Sequence, residues 1–222
     1  MVEVDGKLIG NLRRAQRILA SKAVIEDRFE KPIHRIAGVD VAYDGLNAYA
    51  AVVVLRLSDF RVIEKVIYRG KAVMPYIPSL LCFREGPLIL RALEKVGEDF
   101  QVLMVGGHGI AHPFKCGLAT YIGVLSSKPS IGVAGRLLAG CTCETPKDPL
   151  ESKPILLNGE VVGYGIRPVN RANPIYVSPG SLISLETTLE VSIKSLKSYR
   201  MPEPLRLAHL AASEAKRLHA SE

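Results

Sequence analysis

The chain has no tryptophan, and aromatic residues make up only 6% of its 222 positions. Base-stacking platforms need aromatic faces, so any nucleic-acid contact must rest on few of them. There are four cysteines, at 82, 116, 141 and 143. With no secretion signal a disulfide framework is not expected, and Cys141-Thr142-Cys143 has no second pair at zinc-finger spacing. Long apolar runs are missing as well. The longest, Ala48 to Leu55, is eight residues, whereas a membrane span needs roughly 20, so no membrane partner is expected. The N-terminus carries Glu3, Asp5 and Lys7 and no apolar core, which argues against a signal peptide and for a cytoplasmic protein. Repeats, low-complexity stretches and interdomain linkers are absent. A chain of this length can share one core, so a single domain over 1–222 is expected. The phosphate-binding patterns G-x-x-x-x-G-K-[ST] and G-x-G-x-x-G are both missing.

What the chain does carry is positive charge: Lys and Arg exceed Asp and Glu by 29 to 22, a net +7. No five like charges are consecutive, so the basic residues spread over a folded surface that favours anionic partners. Apolar positions at Leu8, Leu12, Ala15, Ile18, Leu19 and Ala23 predict an amphipathic helix over 8–26. Strand-like runs follow at 34–43, 48–57 and 60–68. They are separated by the turn pairs Asp44-Gly45 and Ser58-Asp59, as in an antiparallel meander. Pro75-Tyr76-Ile77-Pro78 excludes regular structure, because each proline fixes φ and removes a donor. Ser79 is placed to cap a helix reaching about 96. Strands at 102–105, 130–134, 160–167 and 175–177 and helices at 115–126, 181–196 and 204–219 complete the pattern, with 141–153 read as a loop. Three antiparallel strands followed by helix–strand–helix–strand predict an α/β fold, a mixed sheet flanked by helices. That order suits the ribonuclease-H-like architecture.

Few residues are candidates for chemistry. Asp40 lies inside the apolar strand Ile36-Ala37-Gly38-Val39-Asp40-Val41-Ala42. An unpaired buried carboxylate costs several kcal/mol, so Asp40 needs either a partner such as Arg35 or a metal ion. Asp44 shares its strand parity but lies roughly 13 Å further on by strand rise, too far for the same ion. Glu85, in Phe83-Arg84-Glu85-Gly86-Pro87, reads as a second carboxylate or as half of a salt bridge with Arg84 or Arg91. His112-Pro113 follows the glycine-rich turn Gly106-Gly107-His108-Gly109, where the backbone can approach a ligand. His209 follows Arg206 by three and shares its helix face.

Taken together, IAGVDVAY, MPYIPSLLCFREGP, GGHGIAHPFKCGLATYIGV, SIGVAGRLL and YRMPEPLRLAH, in this order, resemble the endonuclease V family of metal-dependent nucleases that cut near inosine. The resemblance covers about residues 8–212. It implies that Asp40 and Glu85 are metal ligands on the first strand and the following helix, and that His209 stands near the metal. Asp40, Glu85, His209 and His112 are thus the implied catalytic residues. Pro75, Tyr76, Ile77 and Pro78 match the wedge that enters the duplex, with Tyr76 offering a flat face where the base has left the stack. Leu80, Leu81 and Gly107 match the region of the base pocket, and His112 a His-Pro step near the scissile strand. The implied cofactor is Mg²⁺, with Mn²⁺ as the alternative. The implied substrate is inosine-containing DNA or RNA, cut on the 3′ side by a monomer.

The chain also departs from the family pattern. Gly106 stands where the family carries a metal-binding aspartate, and Gly135 where it carries a lysine near the phosphate, whose charge toward the nucleic acid the neighbouring Arg136 is placed to supply. Ser79 and Ser181 replace a wedge glycine and a Gly-His step. Two carboxylates still suffice for one hard ion, and His108 is a further candidate ligand. Losing one electrostatic group can cost roughly 10²–10³ in rate. A second reading therefore stays open: a family member that binds damaged or single-stranded nucleic acid and cuts weakly or not at all.

Overall fold

The computed structural model describes residues 5–142 and 144–219. The Cys141-x-Cys143 pair therefore lies partly outside the described residues. Helix α1 (Gly6–Ala20) starts at Asp5, whose carboxylate accepts from the Leu8 amide at 2.7 Å. It ends six residues before the predicted limit. The meander is β1 (Arg35–Asp44), β2 (Asn47–Arg56) and β3 (Val62–Lys71), with Gly45 at φ +56 in the first turn. Then come α2 (Leu81–Leu93), β4 (Val102–Gly106), α3 (Leu118–Ser126) and β5 (Ser130–Ala134). The rest is β6 (Cys141–Thr142), β7 (Ser152–Leu157), β8 (Glu160–Ile166), β9 (Ile175–Ser181), α4 (Leu185–Lys194) and α5 (Glu203–His219).

All strands join one sheet in the order β3-β2-β1-β4-β5-β9-β8-β7-β6. β1, β4 and β5 run parallel and the outer strands are antiparallel, so the sheet is mixed and flanked by helices, as expected. Strand alternation assigns its two faces. Ile36 and Val53 pack with Val191, Leu205 and Ala208 of α4 and α5. Ala37, Val39 and Val52 pack on the other face with Ile89 and Ile122 of α2 and α3. No helix among the described residues is long and apolar enough to cross a membrane.

Two expectations need correction. The loop expected over 141–153 gives way at both ends to strands, Cys141–Thr142 and the start of Ser152–Leu157, because β7 supplies a ladder for the first and β8 for the second, despite Lys153 and Pro154. Ser79 does not cap α2. The N-cap is Leu80, without a side-chain bond, and Ser79 sits at φ +68. Its useful group is the carbonyl oxygen.

Candidate active site

Asp40 stands beyond the Val39–Val105 pair of β1 and β4, level with Gly106, the last residue of β4. Its parity matches Ile36, so its side chain faces α5. There α5 approaches unusually closely: a Cβ on Gly38 would lie 2.1 Å from the Pro204 carbonyl oxygen. From that contact His209 is five residues along the helix, about 7.5 Å, and Asp40 two along the strand, about 6.6 Å. The two rises nearly match, and His209 Nδ1 meets Asp40 Oδ2 at 2.7 Å. Arg35 is not the partner of Asp40, since it pairs with Glu98 at 2.6 Å.

Glu85 comes from α2, on the other face, and Tyr43 Oη donates to its Oε1 at 3.3 Å. Neither neighbouring arginine forms a salt bridge with it among the described residues, although the Arg84 charge pulls its pKa down. Arg84 donates to the Met74 carbonyl at 2.6 Å and lies 4.4 Å from the Tyr43 ring centre, while Arg91 pairs with Glu94. Burial, then the charge of Asp40, pushes the Glu85 carboxyl up to about 8. Burial also raises Asp40, against the opposing pull of His209, and Tyr43 is raised by burial and by Glu85. Two carboxylates thus share a low-dielectric corner with one imidazole and no salt-bridged arginine or lysine among the described residues. Hard oxygen donors with surplus negative charge fit a divalent cation. The three side chains do not form a ready-made cluster at metal-ligand spacing among the described residues; the His209–Asp40 bond holds two of them together. Asp44 ends β1, exposed and away from this group.

A cleft of about 280 Å³ borders the site, lined by Tyr76, Leu81, Gly106, Gly107, His112 and Gly135 among others. That is near the lower end for small-ligand pockets, about 300–1,000 Å³. Tyr76 is 64% exposed at its rim. Pro78 is exposed on the same loop, and Pro75 and Ile77 are half-buried. Leu80 does not line the cleft. At 1% exposure it is core, turned inward where α2 begins. Arg136 lines a second, adjoining cleft, and His108 Nε2 is engaged there by the Arg136 carbonyl at 2.9 Å.

His112 lies beneath the loop. Its Nδ1 accepts from the Phe114 amide at 3.2 Å, which leaves Nε2 to donate to the Ser79 carbonyl at 3.0 Å. Burial lowers its pKa to about 4, so the ring is neutral at pH 7. Gln16 of α1, fully buried, donates to the same carbonyl at 2.7 Å and to the Cys116 carbonyl at 3.0 Å. The sequence reading did not single out Gln16. Its signal was a polar side chain four residues after Leu12 and three before Leu19, on the apolar face.

The departures have visible consequences. Neither Gly106 nor Gly135 has a positive φ, and a Cβ on Gly106 would lie 2.9 Å from Asp40 Oδ1. Beside Gly135 the space is held by the Arg200 guanidinium, 3.3 Å from where a Cβ would lie. Ser181 is structural: its Oγ accepts from the Val24 amide at 3.2 Å.

Comparison with known proteins shows the family and the fold. The family described as Endonuclease V matches residues 17–210. Endonuclease V of Xanthomonas axonopodis pv. citri is 39% identical over 211 residues, 94% of this chain and 89% of that protein. The Thermofilum pendens protein of the same name is 42% identical over 202 residues, 90% and 86% of the two chains. The crystal structure of Endonuclease V from Streptomyces avermitilis superposes with a TM-score of 0.88 at 30% identity, covering 95% and 94%. The Ciona intestinalis enzyme, crystallised with a 24mer DNA containing an inosine followed by a ribo-adenosine, gives 0.83 at 26% identity, covering 96% and 99%. On sequence and fold alike, this chain belongs to the endonuclease V family.

Proposed function

We propose that this single domain is a metal-dependent endonuclease that hydrolyses the phosphodiester 3′ to inosine in DNA or RNA, acting as a cytoplasmic monomer. The observation that carries the reading is the half-buried Asp40–Glu85 pair, short of balancing charge, beside a cleft rimmed by an exposed tyrosine. A relative crystallised on inosine-containing DNA supports the choice of substrate.

Asp40 and Glu85 would hold Mg²⁺ with His209 beside it, and the ion would lower the pKa of water and draw charge from the phosphate oxygens. The chain's own residues do the rest. Asp40 fixes the imidazole through Nδ1, leaving the exposed Nε2 of His209 to accept a proton from the attacking water. Tyr43 holds the Glu85 carboxylate by its phenol. Tyr76 stacks in the gap left when the base turns into the cleft, the move by which enzymes read single bases. His112 and Gln16 position the loop through the Ser79 carbonyl rather than touching the strand.

The test uses end-labelled DNA and RNA strands, with and without one inosine, incubated with and without Mg²⁺ and measured separately for binding and cleavage. Cleavage one bond position on the 3′ side, only with inosine and metal, is the expected result. Tight inosine-dependent binding with no product at any metal concentration would establish the binding-only reading, which the glycines at 106 and 135 favour. Equal cleavage of plain strands would remove inosine from the proposal.

A further inference from the structure

Beside the base cleft lies a second cleft of about 650 Å³, and His108, Ala134 and Gly135 form the wall between them. Its charged lining is Arg136 and Arg200, with no carboxylate. Elsewhere on the surface several arginines sit against acids, as Arg35 does on Glu98, Arg56 on Asp59 and Arg206 on Glu203. Neither Arg136 nor Arg200 forms a salt bridge among the described residues.

Arg200 is nevertheless held still. Its Nε donates to the Asn173 carbonyl at 3.1 Å, and its Nη2 to the carbonyls of Gly135 at 3.0 Å and Pro174 at 3.2 Å. Carbonyl oxygens fix the guanidinium without cancelling its charge. Nη1 makes no hydrogen bond among the described residues. It lies 3.5 Å from where a Cβ on Gly135 would be, over the wall shared by the two clefts. A guanidinium already immobilised loses little further entropy on binding, and its planar fork matches phosphate oxygens.

We propose that Arg200, assisted by Arg136, is a phosphate clamp: it takes a backbone phosphate next to the nucleotide whose base enters the first cleft, using space left free because residue 135 is glycine. Only the identity of the anion rests on the proposed nuclease activity. The clamp contacts substrate and is blind to the base.

The experiment measures binding of single-stranded oligonucleotides, with and without inosine, in metal-free buffer over a range of salt. One lost phosphate contact lowers the slope of log affinity against log salt by about 0.7 on a single strand. Arg200→Met is expected to show that drop and to weaken both strands equally, by roughly tenfold. Arg200→Lys keeps the charge and should fall between. Arg200→Met with Gly135→Lys should regain the slope, because the lysine enters the vacated space at an ordinary backbone conformation. If Arg200→Met alone melts early, Arg200→Gln carries the test, since its amide can still donate to a carbonyl while the charge, and with it the slope, is lost. Methylphosphonate placed at one position at a time adds a readout of location. One position near the inosine should cost the unaltered protein affinity and cost Arg200→Met none. An unchanged slope in a folded Arg200→Met, or equal methylphosphonate losses in both proteins at every position, overturns the clamp. If the slope falls but the unaltered protein shows no preference for inosine, the clamp stands and the inosine reading fails. Preference without a change in slope fails the clamp alone.

Discussion

The acid corner and the wedge loop border the same cleft and are held by opposite means. At Asp40 and Glu85 charge is concentrated where burial disfavours it, and the carboxyls answer by holding protons longer. At Ser79 the loop is held by neutral donors, Gln16 and a histidine kept uncharged by burial. The first arrangement lacks a salt-bridged arginine or lysine among the described residues. The second is complete as it stands. Chemistry is therefore expected to respond to charge changes in the corner, and lesion discrimination to shape changes in the loop.

The largest expected effect comes from removing the corner's anchor. Asp40→Ala should lower cleavage by at least roughly 10³, with manganese affinity by calorimetry lost in parallel. Unchanged metal affinity would take Asp40 out of the site. Adding charge should work the other way. Gly106→Asp sets a third carboxylate against Asp40 Oδ1, whose side-chain end can turn aside. Without metal its melting temperature should fall. With metal its single-turnover rate should rise by about 10². A folded variant that cuts no faster would mean the corner is complete with two carboxylates.

In the loop, Tyr76→Ala should cost about 1–3 kcal/mol of preference for inosine over plain strands while sequence-blind affinity stays. Competition binding reads this directly, and equal losses on both strands would break the contrast between loop and corner. His112 gives a pH dependence. Its folded pKa, about 4, lies below the ordinary value near 6.5. Its contribution to stability is thus full above about 6.5 and declines as pH falls toward 4, because the unfolded chain binds the proton first. At most about 3 kcal/mol is involved. Melting curves at pH 7 and 5 should converge for His112→Gln relative to the unaltered protein. The smallest effect is Gln16→Leu. It removes a donor to Ser79 but also a buried oxygen that has no partner among the described residues, so stability should change by about 1 kcal/mol or less. Inosine preference should still fall, measurable in the same competition assay.

The sequence made the inner sheet legible because its strands are apolar throughout, as Ala48–Leu55 shows, and period and turn residues agree there. It hid β7, since Lys153 and Pro154 break the pattern and only pairing with β8 makes that segment a strand. At the site, Asp40 was legible as a carboxylate in an apolar run, and Glu85, His209 and Tyr76 through motif resemblance. Leu80 was misread: three apolar residues around a helix start do not say which one turns inward. Arg200 was invisible, because its place beside Gly135 depends on a loop 65 residues away in sequence. Ser79 misled because serine suggests a side-chain cap, and the working atom is on its backbone.

The contact between Gly38 and Pro204 makes the protein a fixed-length gauge. Helix α5 rests on bare backbone, so the reach from strand to imidazole is set by a methyl group that is not there. Gly38→Ala would add no charge and touch neither metal ligand nor nucleic acid, yet it must lift the helix at its seat. The resulting protein should still grip its strand and misplace only His209. A substitution remote from the chemistry would then mimic the loss of His209.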